Sequence, residues 1–165
     1  MGRQFNPSDP LVGARKRRRT RAAARAAAAL VLIYGLSVHK KEDGVPKVEV
    51  EGVGSFDVPE GKRLVLAIEE DAGVDILHRC GAYAKCTTCR IEYLEGEPER
   101  MTRAELEVLQ SRDLLGQVRL SCQAVCDHDV KVRPLMTVTS TGLDGPGNKP
   151  EPEITPPPEW IEKPA

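Results

Sequence analysis

Aromatic residues are almost missing from this chain. Two Phe, three Tyr and one Trp are spread over 165 residues, so any packed core is built mainly of Val, Ile, Leu and Ala. No Gly-x-Gly-x-x-Gly fingerprint occurs. The chain therefore has no turn for a dinucleotide pyrophosphate and cannot act alone as a pyridine-nucleotide reductase. A long apolar run is lacking too. The best stretch, Ala26 to Val38, has thirteen residues, whereas a spanning helix needs about 20. An even cysteine count is also absent. All five cysteines lie between positions 80 and 126, while a disulfide framework uses an even number spread through a small secreted domain. So tight a group in an otherwise ordinary chain points to metal binding.

What is present divides the chain by charge. Residues 1–43 carry ten Lys/Arg against three Asp/Glu, residues 44–135 twelve against seventeen, and residues 136–165 two against five. Such asymmetry speaks of partners rather than fold. Residues 1–43 read as a basic and apolar N-terminal extension, poorly ordered or helical. Residues 22–38 offer a candidate membrane attachment. A signal peptide fits in part, but Leu36-Ser37-Val38-His39 provides no small-residue cleavage site. From Gly142 onward seven of twenty-four residues are proline, and residues 142–165 read as a Pro-rich disordered tail.

Between these tails the pattern is mixed. Val48-Glu49-Val50 and Phe56-Asp57-Val58 alternate across Gly52 and Gly54, which predicts a hairpin. Leu64, Ala67, Ile68 and Ala72 fall at helical spacing, with Gly73 as the stop. Arg90 to Glu95 alternates as a strand. Thr102-Arg103-Ala104-Glu105 is a capping box that opens a second short helix. Val118 to Ser121 and Val130 to Arg133 read as closing strands. The expectation is an α+β fold, a mixed sheet with one main helix and a second short helix.

Cys80, Cys86 and Cys89 form a Cys-x5-Cys-x2-Cys motif, and Cys122 follows after thirty-two residues. Iron in sulfide clusters prefers soft, anionic thiolates, and a [2Fe–2S] unit needs four of them. Three come from one wrapping loop and the fourth closes the site from another segment. Gly81, Ala82, Ala84, Thr87 and Thr88 are small enough for such a loop to turn sharply and aim backbone N–H groups at sulfur. A structural zinc site generally pairs two short Cys knuckles, and only one is present here. A Rieske centre needs two histidine ligands, and Cys126-Asp127-His128 offers one Cys-x-His alone. Cys126 reads as an ordinary half-buried thiol, and His78 as a packing or hydrogen-bonding residue. Glu69, Glu70, Asp71, Asp75, Glu95, Glu97, Glu99, Glu105 and Glu107 form either an acidic docking face or plain solvated surface.

Over residues 46–135 the chain resembles the [2Fe–2S] ferredoxins of β-grasp fold, closest to the branch of adrenodoxin and the bacterial cluster-assembly ferredoxins. The matching stretches are Cys80 to Cys89 and Arg119-Leu120-Ser121-Cys122-Gln123. The approach Gly73-Val74-Asp75-Ile76-Leu77-His78 also looks like the family's entry to the cluster loop, whereas Arg90 stands where that branch carries histidine. The resemblance implies that Cys80, Cys86, Cys89 and Cys122 hold one [2Fe–2S] cluster, with Cys80 and Cys86 on one iron and Cys89 and Cys122 on the other. It implies an electron carrier rather than an enzyme, transferring one electron between a reductase and an acceptor enzyme at a low potential, about −400 mV as in plant-type clusters. The alternative is a membrane-tethered redox subunit or sensor using the same cluster. Redox proteins are the expected partners, with no nucleic acid. A cytoplasmic monomer is expected, with membrane association as the alternative location.

Overall fold

The structure is a computed structural model, and it describes residues 44–164. The expectations for residues 1–43, including the attachment at 22–38, lie outside the described residues.

A five-stranded sheet forms the body, in the order β2-β1-β6-β3-β5. Strands β1 (Lys47–Val50) and β2 (Gly54–Asp57) make the expected antiparallel hairpin, with Val48 opposite Phe56 and Val50 opposite Gly54. Gly52 has φ +76°, a value open to glycine at little cost. β1 also pairs in parallel with β6 (Val130–Pro134), Val48 against Val130 and Val50 against Val132. β6 then runs antiparallel to β3 (Arg90–Glu95), with a bulge between Tyr93 and Glu95, and β3 carries the short edge strand β5 (Arg119–Leu120). One face of the sheet packs on aliphatic residues, among them Val48, Val50, Ile91, Leu120 and Val132, all fully buried. Few aromatics join them, as composition requires.

The main helix differs from its sequence reading. α1 spans only Leu64–Leu66 and passes into a π-helical segment, Ala67–Asp71. Ala72 N–H reaches back five residues to the Ala67 carbonyl, at 3.1 Å. Leu64, Val65, Leu66, Ala67 and Ile68 are all buried, so the first five residues are enclosed on every side and not on one stripe, and only Glu69, Glu70 and Asp71 reach the surface. Enclosure, not amphipathic propensity, holds it, and a widened turn is tolerated. The second helix, α2 (Arg103–Ser111), starts as expected, with Thr102 Oγ1 accepting from Glu105 N–H at 3.1 Å. Only that half of the capping box forms, because the Glu105 carboxylate turns inward. It accepts from Arg119 Nε at 2.9 Å, Arg119 Nη2 at 3.1 Å and Leu120 N–H at 2.7 Å.

The C-terminal segment corrects the expectation of a disordered tail at 142–165. A one-turn helix α3 (Val138–Thr141) ends at Gly142 in the left-handed region, and β7 (Trp160–Glu162) pairs antiparallel with β4 (Arg100–Thr102). Ile154 is buried. The prolines leave few N–H groups to satisfy. The carbonyls between them are taken by side chains of the domain, Arg63 on Glu151 and Glu153, Gln123 on Thr155. Gly147 permits the closest approach. At φ +128° a Cβ there would stand 2.6 Å from the His78 carbonyl oxygen. Trp160 is 38% accessible and stacks on Arg100.

Candidate functional site

Residues 78–89 make a loop with almost no regular structure, entered from His78, whose N–H donates to the Pro146 carbonyl at 2.7 Å. Four of its residues have positive φ: Gly81 (73°), Ala82 (68°), Ala84 (52°) and Thr87 (56°). For the three that are not glycine this geometry costs of order 1 kcal/mol each and persists only where the surroundings over-determine it. These left-handed residues let the loop turn several N–H groups toward its inside, a concavity suited to negative charge.

Those N–H groups meet sulfur. Cys80 Sγ accepts from the backbone of Lys85, Tyr83 and Cys86. Cys86 Sγ meets the N–H groups of Thr88 and Cys80, and lies 3.0 Å from Thr88 Oγ1. Cys122 Sγ takes the Ala84 N–H, and the Gln123 amide stands 3.9 Å away. Cys122 arrives on a 3-10 turn, Ser121–Gln123, directly after β5. That turn is tied to the loop by Ser121, whose N–H and Oγ both donate to the Cys89 carbonyl, at 3.1 and 2.8 Å.

The four thiols come together as two pairs. Cys80 faces Cys86, and Cys89 faces Cys122, the two thiols of each pair acting on one another. Within the outer pair the Cys86 thiol and the three backbone donors push Cys80 down to about 4, while Cys86 moves the other way. Within the inner pair Cys122 is pushed down by the Cys89 thiol, the Ala84 N–H and the nearby Arg63 charge, and Cys89 is pushed up by the same contact and by burial. Cys89 and Cys122 are buried, whereas Cys80 and Cys86 are partly accessible. All five cysteines are free thiols.

This donor set fits a two-iron cluster better than a single ion. Structural zinc needs four donors around one point, yet among the described residues no three His, Cys, Asp or Glu side chains close on a common point. Two thiol pairs ringed by N–H donors match a dimetal unit with one pair at each end and extra negative charge to stabilise.

Other candidates separate from the site. Cys126 is buried, its thiol pushed up to about 12 by burial and by Asp71 and Asp127. It is partner to none of the four. His78 is buried with its Nε2 3.2 Å from Glu69 Oε2, a contact without hydrogen-bond alignment. Much of the expected acidic face is committed internally. Glu70 and Asp71 hold Lys62, Asp75 holds Thr139, Glu97 holds Arg119 and Lys163, and Glu105 is buried. A groove of about 570 Å³ between Tyr93, Met101, Leu115, Arg119 and Lys163 contains none of the four cysteines. Sequence reasoning missed Arg63, which braces the site from outside both matching stretches, and gave no role to Gln123, which ends the second of them. The one signal was a charge set directly against the apolar run Leu64-Val65-Leu66.

Residues 48–127 match the family of 2Fe-2S iron-sulfur cluster binding domains. Among curated proteins the chain is similar to one of the subunits of the Na(+)-translocating NADH-quinone reductase from Methylococcus capsulatus, at 29% identity over 101 residues. That match covers 61% of this chain and 24% of the relative, so the chain spans well under half the relative's length. Among solved structures it is similar to the ferredoxin reductase in carbazole 1,9a-dioxygenase (TM-score 0.44, 24% identity, 54% of this chain and 28% of that one). It is also similar to the ISC-like [2Fe–2S] ferredoxin FdxB from Pseudomonas putida JCM 20004 (TM-score 0.42, 23% identity, 53% and 90%).

Proposed function

Because this chain carries a [2Fe–2S] ferredoxin domain, we propose that Cys80, Cys86, Cys89 and Cys122 are its four ligands and that it passes single electrons from a reductase to an acceptor enzyme. The carrying observation is the convergence of these thiols in two pairs inside a loop of inward N–H groups. On this reading Cys80 and Cys86 hold one iron, and Cys89 and Cys122 the other. The bound cluster supplies a one-electron couple between its oxidised and reduced forms.

The chain's own residues do the rest. Lys85, Tyr83, Cys86 and Ala84 donate N–H groups to the ligating sulfurs, which favours the more negative, reduced state. Ser121 fixes the spacing between the Cys89 and Cys122 segments through its two bonds to one carbonyl. Burial of Cys89 and Cys122 keeps water from the inner end, while the partly accessible Cys80 and Cys86 mark the side facing a partner. The electron enters and leaves from that side. The chain acts as a carrier without a reaction of its own, which its lack of a dinucleotide fingerprint supports. The partners are redox proteins, one reductase and one acceptor.

Metal and acid-labile sulfide analysis of the purified full chain tests the assignment. Two irons and two sulfides per chain with a red-brown colour are expected, and Cys122→Ser should lose most of both. A colourless protein rich in zinc, or a Cys122→Ser variant with unchanged iron and spectrum, refutes it.

A further inference from the structure

Arginine is almost never fully buried unless an anion is buried with it. The domain buries two, and they are treated differently. Arg119 has the carboxylates of Glu105 and Glu97. Arg63, 1% accessible, has none within ion-pair distance among the described residues. Its guanidinium donates only to neutral carbonyls: Nη1 to Glu151 at 2.7 Å and Glu153 at 2.8 Å, Nη2 to Ala82 at 2.9 Å and Cys122 at 2.6 Å. Its Nε has no partner. The titratable groups that bear on it most are the sulfurs of Cys122 and Cys89, ahead of the Glu151 carboxylate and Cys80.

The four carbonyls belong to three separate segments. Ala82 is in the cysteine loop, Cys122 is the thiol that closes it, and Glu151 and Glu153 lie on the C-terminal segment packed over both. A guanidinium that stays protonated, sits in a low-dielectric interior and is surrounded by carbonyls is a fixed positive charge beside the sulfurs. Reduction moves one electron from an external reductant onto iron, ferric to ferrous, with no bond formed or broken, and adds one negative charge there. A nearby buried cation favours that added charge. Solvated Lys85 is screened and does so far less.

We propose that Arg63 is the buried counter-charge of the four-thiolate centre, a positioning residue that raises the reduction potential and clasps the C-terminal segment over the cysteine loop. This rests on the ligand assignment above, and the two fail differently: wild-type protein without acid-labile sulfide defeats the assignment, whereas loaded protein indifferent to residue 63 defeats only the role of Arg63.

The experiment uses the full chain as wild type, Arg63→Gln and Arg63→Lys. Iron, sulfide and the visible circular dichroism spectrum are measured first, then the midpoint potential by spectroelectrochemical titration, then cleavage after Glu153 by a glutamate-specific protease. Arg63→Gln should shift the potential clearly negative and speed cleavage severalfold. Arg63→Lys should restore most of the potential. A fully loaded Arg63→Gln protein at the wild-type potential overturns the charge role, and unchanged cleavage overturns the clasp. If Arg63→Gln cannot hold a cluster, Arg63→Lys decides. Retention by the lysine variant supports the counter-charge, and equal loss in both overturns it.

Discussion

Replacing Glu105 should release the cluster although the side chain touches none of the four thiols. Glu105 is fully buried and receives three hydrogen bonds, two from Arg119 and one from Leu120 N–H, all between 2.7 and 3.1 Å. Leu120 is two residues before Cys122, so the carboxylate fixes the strand that delivers the fourth sulfur. Breaking a buried ion pair by removing one partner costs about 3–5 kcal/mol. Arg119 keeps the carbonyls of Pro98 and Arg100 and an outer contact with Glu97, which puts Glu105→Ala near the lower limit, about 3 kcal/mol. Glu105→Gln keeps a side-chain oxygen for Leu120 N–H and loses the charge, and should cost about 1–2 kcal/mol. Cluster loss is irreversible, so the assay is a rate: bleaching of the visible band in moderate urea. If the interaction is absent from the unfolding transition state, alanine should bleach up to roughly 100-fold faster than wild type, with glutamine between. Equal rates in all three proteins, or glutamine bleaching faster than alanine, would refute the reasoning.

Further outcomes follow from other contacts. Gly147→Ala places a Cβ against the His78 carbonyl at a φ that disfavours side chains, so it should loosen the C-terminal segment and raise Glu-specific cleavage after Glu153 while leaving β1 and β2 intact. Cys126→Ala should keep full iron content, and in the native protein the Cys126 thiol, pushed up to about 12 by burial, should resist alkylation at pH 8 in peptide mass mapping. Burial opposes the ionisation of Glu97, but hydrogen bonds from Lys163 and Arg119 outweigh it and hold its carboxyl below the ordinary value of 4.5. The ionised form is therefore favoured by folding. Its contribution is full above the unfolded value and is lost as pH falls through the folded one, so Trp160 fluorescence should report release of β7 in acid, a step missing in Glu97→Gln. Cell fractionation of the full chain against a chain lacking residues 22–38 reads the membrane attachment directly: recovery of both in the soluble fraction argues against it.

The sheet and the cysteine loop were legible because their signals are local. Alternation marks β1, β2, β3 and β6, and the Cys-x5-Cys-x2-Cys spacing marks the loop with its small residues. Composition misled at the C-terminus. Proline density says that a segment cannot form its own ladder, but not that a neighbour's side chains will satisfy its carbonyls, as Arg63 and Gln123 do. β4 and β7 are three residues each and pair across about sixty positions, which no local pattern reveals. Thr102-Arg103-Ala104-Glu105 has the pattern of a reciprocal cap, yet Glu105 finds a stronger partner in Arg119, fourteen residues away. For Arg63 the one local mark is a charge set against an apolar run, and its bracing role is not legible because its partners lie on three distant segments.

The parallel pairing of β1 with β6 sets an order of events during synthesis. Val48 meets Val130 only after the intervening chain has emerged, so the sheet closes late and by long-range contact, the slow route to a fold. By then Cys80, Cys86, Cys89 and Cys122 have all left the ribosome. Every thiol is thus available while the framework is still open.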